Sequence, residues 1–300
     1  MDPSDPGTVY AATQVGPYRS RDGGESWGSL GLDGLGTTWS VTVHPADSDV
    51  LLVGTTDAGV HRSVDGGATW QVLPTIMPMG VCDGGFAPRI LRVVLDPSHP
   101  YEMYAALEIG GVIRSLDNGH SWSSCNSGLL ALAEDDRYKS RLVSDADHEG
   151  MMDCHALAIS RERPGTLFLA CRMGLFRSVD RGESWEDVGI NRFSTLTYAR
   201  DLRVSPHDDR VVLGAFSRAF DGDAGSLYRS DDLGESWQRF DHGLEMDSTL
   251  MTVAASPSSD ERVWCATRHG QVVGTEDGGE TWLSRALPER IKGVWAIACA

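Results

Sequence analysis

The densest run of side chains able to move protons is Asp145-Ala146-Asp147-His148-Glu149-Gly150-Met151-Met152-Asp153-Cys154-His155. Imidazole titrates near neutrality, so His148 or His155 is a candidate general base, with Glu149 or Asp153 as the carboxylate that orients it. Arginines stand out in so acidic a chain. Arg89, Arg172, Arg200 and Arg268 are candidates to clamp a carboxylate, sulfate or phosphate, because guanidinium offers paired N–H donors. The competing reading is that each pairs with Glu108, Asp153 or Asp201 as a surface bridge. Trp39 and Trp295 are candidates to stack on sugar rings, or else to pack at strand ends. The expected catalytic set is therefore His148, Glu149, Asp153, His155 and Arg200. The expected ligand-binding set is Trp39, Arg89, Glu108, Arg172, Tyr198, Arg268 and His269. The spacing of His, Cys and carboxylates matches no standard metal site, and no cofactor is expected.

What must position these residues is a repeat. The motif Ser/Thr-x-Asp-x-Gly-x-Ser/Thr-Trp occurs in segments 20-27, 63-70, 115-122, 178-185, 230-237 and 275-282. Its aspartates, Asp22, Asp65, Asp117, Asp180, Asp232 and Asp277, are separated by 43, 52, 63, 52 and 45 residues. Periods near 40 to 50 residues with several short strands each are the signature of propeller blades. In the second repeat the strands are read at Trp39 to Val43, Val50 to Val53 and Val60 to Ser63, with a fourth after Trp70. The first repeat lacks an inner strand, and Gly293 to Ala300 has the pattern to supply it. The expected fold is thus all-β: a six-bladed β-propeller of four-stranded antiparallel blades over residues 1-300, its first blade closed by the C-terminal strand 293-300.

The repeated motif resembles the Asp-box, or BNR, family, which includes sialidases, sortilin-type receptors, xyloglucan hydrolases and a photosystem assembly factor. The resemblance covers nearly the whole chain and implies the fold. It implies little about activity, because the family mixes enzymes with binding scaffolds. The Asp-box turn itself is read as structural, the carboxylate accepting backbone N–H bonds and Gly supplying a positive φ. Classical sialidase chemistry is not supported by motif: Arg-Ile-Pro is absent, and Phe86-Ala87-Pro88-Arg89-Ile90 holds similar residues in another order.

The short, similar turns fall on one face, whereas 73-89, 125-155, 189-200 and 216-225 are long, irregular insertions on the other. Any site belongs with the insertions. Reading the inner strands in register brings together Trp295, Trp39, Leu91, His155, Arg200 and Met251, with Thr56, Glu108, Arg172 and Arg268 from neighbouring turns. A net charge of −17 opposes nucleic acid as the main partner. No apolar run approaches the roughly 20 residues of a membrane span. The N-terminus shows neither the basic start nor the apolar stretch of a secretory signal, so a cytoplasmic location is expected. Six cysteines show no CxxC pair. Cys154 and Cys171 are read as two buried thiols, with a bridge or a reactive thiol as the alternative, and Cys82 and Cys125 are placed to pair in an oxidising compartment. The expected function is a hydrolase or lyase on a small anionic or glycan-like substrate. The alternative is a non-catalytic protein- or glycan-binding or assembly propeller.

Overall fold

The computed structural model describes all residues except 3, 33, 35, 289, 292 and 300. Six antiparallel meander sheets follow one another along the chain. The first holds Val9–Thr13, Gly16–Ser20 and Gly28–Ser29, and the second Thr38–His44, Asp47–Thr55, Val60–Ser63 and Gln71–Leu73. Each later sheet likewise has four strands and begins at its inner strand: Arg89–Leu95, Cys154–Ile159, Tyr198–Val204 and Leu250–Ala255. These are the blades of a β-propeller. The expected closing strand is not seen: residues 293 to 299 form no strand, Ala300 lies outside the described residues, and the first sheet counts three strands.

The chain divides into two compact units, one of Met1–Leu167 with Ser178–Trp185, the other of Phe168–Arg177 with Glu186–Ala300. In the first, inner strands of successive sheets lie side by side. Thr38 donates its hydroxyl to the Thr13 carbonyl at 2.7 Å, Ser40 to that of Ile90 at 3.2 Å and Thr42 to that of Val93 at 2.7 Å. The approach is close enough to demand Gly54, where a Cβ would sit 2.6 Å from the Ile90 carbonyl oxygen and 2.4 Å from Ser40 Oγ. Between these sheets Leu52, Val60, Ile90, Val93, Met103 and Ile113 form a buried core. In the second unit Leu213, Leu227, Leu250, Val253, Val263 and Val273 do the same.

The six Asp turns share one hydrogen-bond pattern, with a backbone–hydroxyl bond replacing part of the missing ladder. In the second turn Ser63 Oγ accepts the Gly67 N–H at 2.8 Å and donates to Asp65 at 2.7 Å. Asp65 in turn accepts the backbone N–H of Thr69 at 2.8 Å and its hydroxyl at 2.6 Å. These bonds hold the exposed carboxylate of Asp65 down at about 2, and those of Asp22, Asp117 and Asp277 likewise, each by bonds from its own Ser or Thr. The residue after each aspartate has φ between 58° and 72°, including the non-glycine Asn118, Arg181 and Leu233.

Two insertions are better ordered than the sequence suggests. Residues 125-155 contain helices at Asn126–Leu132 and Glu149–Met152, with Leu129, Met151 and Met152 fully buried. Within 189-200, Phe193 stacks on Trp237 at 5.9 Å and meets Tyr228 at 5.5 Å, so this loop is packed into the second unit.

Candidate functional site

The inner strands enter their sheets through a common irregularity. The ladder slips between Thr38 and Ser40, between Ile90 and Arg92, between Ala199 and Asp201, and between Leu250 and Thr252. The residues skipped are Trp39, Leu91, Arg200 and Met251, four of the six that sequence register had brought together. A β-bulge leaves its extra residue unpaired and re-aims the side chain, and bulges gather beside functional sites. Nothing in single-strand alternation could reveal it.

In the first unit the bulge delivers Trp39, 37% exposed, to a three-part stack. Its indole N–H donates to Thr56 Oγ1 at 3.1 Å, which fixes the ring. The Arg89 guanidinium lies 4.7 Å from the Trp39 ring and 4.3 Å from that of Phe86. Cation–π attraction to the two rings, worth about 1 kcal/mol for each exposed pair, holds this head group in place. Glu108 stands opposite Arg89 in the ladder and closes an ion pair of 2.7 Å. Thus the clamp arginine is matched by the carboxylate that the surface-bridge reading named. Sequence register missed Phe86, which comes from the 73-89 insertion.

The acid–base candidates separate into two kinds. His155 Nε2 lies 3.4 Å from Asp153 Oδ2, and both residues are buried, as the i and i+2 positions at the start of an inner strand allow. Glu149 is not placed to orient His148. Its fully buried carboxylate accepts the backbone N–H groups of Leu142, Val143 and Ser144 and the Ser144 hydroxyl, at 2.6 to 3.2 Å. The His148 ring meets the Gly80 carbonyl at 3.1 Å instead. Both residues therefore brace the insertions, Glu149 within its own and His148 against the 73-89 segment.

In the second unit Arg268 lies 4.1 Å from the Phe220 ring and pairs with Asp221, while Arg200 lies 5.7 Å from the same ring. Trp295, 63% exposed, stands 6.2 Å from Phe220. Two cations and two aromatic rings thus gather on the 216-225 insertion, with Arg200 supplied by its bulge. Asp201 pairs with Arg203 at 2.6 Å. Tyr198 is buried in its strand opposite Ser217, Arg172 is part-buried in a turn, and His269 is exposed with its backbone N–H on Ser248 Oγ at 3.0 Å. All six cysteines are buried thiols, as read for Cys154 and Cys171, and Cys82 and Cys125 do not pair. Among the described residues no group of three or more His, Cys, Asp or Glu could hold a metal ion. No helix among them is long and apolar enough to cross a membrane.

No family model matches the sequence. A xyloglucanase of Paenibacillus sp is 24% identical over 269 residues, covering 87% of this chain and 23% of its own length. The chain therefore spans about a quarter of that curated relative. Among solved structures, the GH74 xyloglucanase of Xanthomonas campestris matches with a TM-score of 0.70 and 20% identity, over 95% of this chain and 44% of its own. YCF48 of Cyanidioschyzon merolae matches with 0.64 and 16%, over 94% and 81%, and a structure of YCF48 bound to D1 peptide with 0.55 and 17%, over 93% and 78%. At these identities the likeness establishes the fold, a β-propeller.

Proposed function

We propose that this chain is an Asp-box propeller acting on a glycan, with the Trp39–Arg89–Phe86 stack as the recognition surface for a sugar chain of the β-glucan class. The observation that carries the reading is the bulged, exposed Trp39. Its ring is held by Thr56 and Arg89 before any ligand arrives, so stacking a sugar costs little further ordering. The pyranose C–H face packs on the indole, while Arg89 and Glu108 bond hydroxyl groups. Hydrolysis requires carboxyl groups beside the scissile bond, and Glu108 with the Asp153–His155 pair are the groups offered for it. Xyloglucanases among the relatives support the substrate class.

Xyloglucan oligosaccharides titrated into the chain are expected to bind saturably, and Trp39→Ala to weaken binding about tenfold, in line with the stacking of one ring. Reducing-end release from xyloglucan, compared between the unaltered chain and Glu108→Gln, separates an enzyme from a binding module. Binding that ignores Trp39→Ala overturns the surface. A second reading, a peptide-binding propeller, draws on the cluster of Arg200, Arg268, Phe220 and Trp295 and on the YCF48 likeness. It predicts that Arg200→Ala abolishes capture of an acidic peptide and leaves oligosaccharide binding unchanged.

A further inference from the structure

In four of the Asp turns, the carbonyl of the residue after the aspartate receives an arginine from the preceding sheet. Arg19 reaches Gly66 at 3.0 Å, Arg62 reaches Asn118 at 2.9 Å, Arg114 reaches Arg181 at 2.7 Å and Arg177 reaches Leu233 at 3.2 Å. Each of these arginines stands one residue before the serine that opens its own turn. Arg229 holds the same place in the fifth sheet, and the carbonyl due to it is that of Gly278 in the sixth turn. That bond is not among those of Arg229.

One side chain accounts for the difference. Asp231 lies two residues beyond Arg229 and accepts its Nε–H at 2.7 Å, whereas the second, third and fourth turns carry Val64, Leu116 and Val179 at that position. Gln238, opposite Arg229 in the ladder, donates to the other Asp231 oxygen at 3.4 Å. The captured guanidinium lies 5.3 Å from the Phe240 ring. A cleft of about 350 Å³ opens here, lined by Arg229, Asp231, Gln238, Arg239, His242 and Gly278. Its donors and acceptors have distinct chemistry. The Nη groups of Arg229 make no hydrogen bond among the described residues, and Arg239, held to Asp241 through Nε and to the Leu244 carbonyl through Nη2, leaves Nη1 over. Planar N–H pairs of this kind suit a carboxylate. The Gly278 carbonyl and the Gln238 amide oxygen offer acceptors for hydroxyl groups.

We propose that the cleft between Arg229 and Gly278 binds a polyhydroxy carboxylate of monosaccharide size, a hexuronate, with its carboxylate on the arginines and its hydroxyls on Gly278 and Gln238. None of these residues belongs to the Trp39 stack, so the two sites stand or fall separately. The test is a calorimetric titration of the full chain with glucuronate, with glucose as the neutral control. Saturable glucuronate binding is expected, with glucose at least tenfold weaker and Arg229→Ala at least tenfold weaker for glucuronate. Asp231→Val installs the residue of the second and fourth turns, releases Arg229 to Gly278 and fills the cleft. It is expected to abolish binding while the thermal midpoint holds or rises, an outcome that unfolding cannot imitate. Absence of saturable binding, equal binding of glucose, or undiminished binding by Asp231→Val would each overturn the site.

Discussion

Glu149 joins a catalytic-looking place in the sequence to backbone partners in space. It sits between His148 and Asp153, in the chain's richest run of titratable groups, and its carboxylate accepts three backbone N–H groups of the 142–144 bend and the Ser144 hydroxyl. A buried polar group missing its partners costs about 1 to 3 kcal/mol. Glu149→Gln keeps one acceptor oxygen and loses the charge, so it is expected to lower stability by about 2 kcal/mol, read as the denaturant midpoint, and to expose 139–147 to proteolysis. Full turnover in that variant, should the chain prove an enzyme, would fit the bracing role. Asp153 and His155 were legible because i and i+2 share a side of a strand. Glu149 was not, since its partners are backbone groups that become available only when residues 142–144 turn.

At the scale of the element, the Asp turn's own carboxylate and hydroxyl bonds were readable, because the serine or threonine, aspartate and glycine that make them lie within eight residues. Its outward links were hidden: the N–H after the aspartate reaches a carbonyl outside the motif, Asp49 for Gly66, and an arginine of the preceding sheet and a turn carbonyl some fifty residues apart carry no local signal. The aspartates make the turn sensitive to acid with a definite sign. Their folded values of about 2 lie below the ordinary 3.8, so the stabilisation is fully present above about pH 4 and fades as pH falls toward 2. The denaturant midpoint is therefore expected to be lower at pH 2.5 than at pH 5. Asp65→Asn, which retains an acceptor but cannot titrate, is expected to be less stable at pH 5 and to lose less between the two. An equal pH slope in both proteins would remove the turn as its source. The bulges at Trp39, Leu91, Arg200 and Met251 were invisible for a related reason: an extra residue in one strand is defined only against its partner strand.

At the scale of the molecule, the fold is carried by apolar strands rather than by covalent ties, and the thiols are the natural probe of that. A thiolate, not a thiol, reacts with alkylating reagents, and burial disfavours the charged form. Burial holds Cys125 in the first unit up at about 12 and pushes Cys265 in the second higher still. At pH 8 the folded chain is therefore expected to resist iodoacetamide, and the denatured chain to take six labels, one for each cysteine of the sequence. Reductant is expected to leave the denaturant midpoint unchanged, because all six residues are thiols. Since Cys125 and Cys265 lie in different units, mass-resolved labelling along a denaturant series reports the opening of each. Residues 1–300 acting as one domain, as the unbroken repeat leads one to expect, would bring both sites into reaction at a single midpoint. Two separate midpoints would make each unit its own folding body, and stability changes from Arg62→Ala and Arg177→Ala would then be read only in the unit that holds the residue.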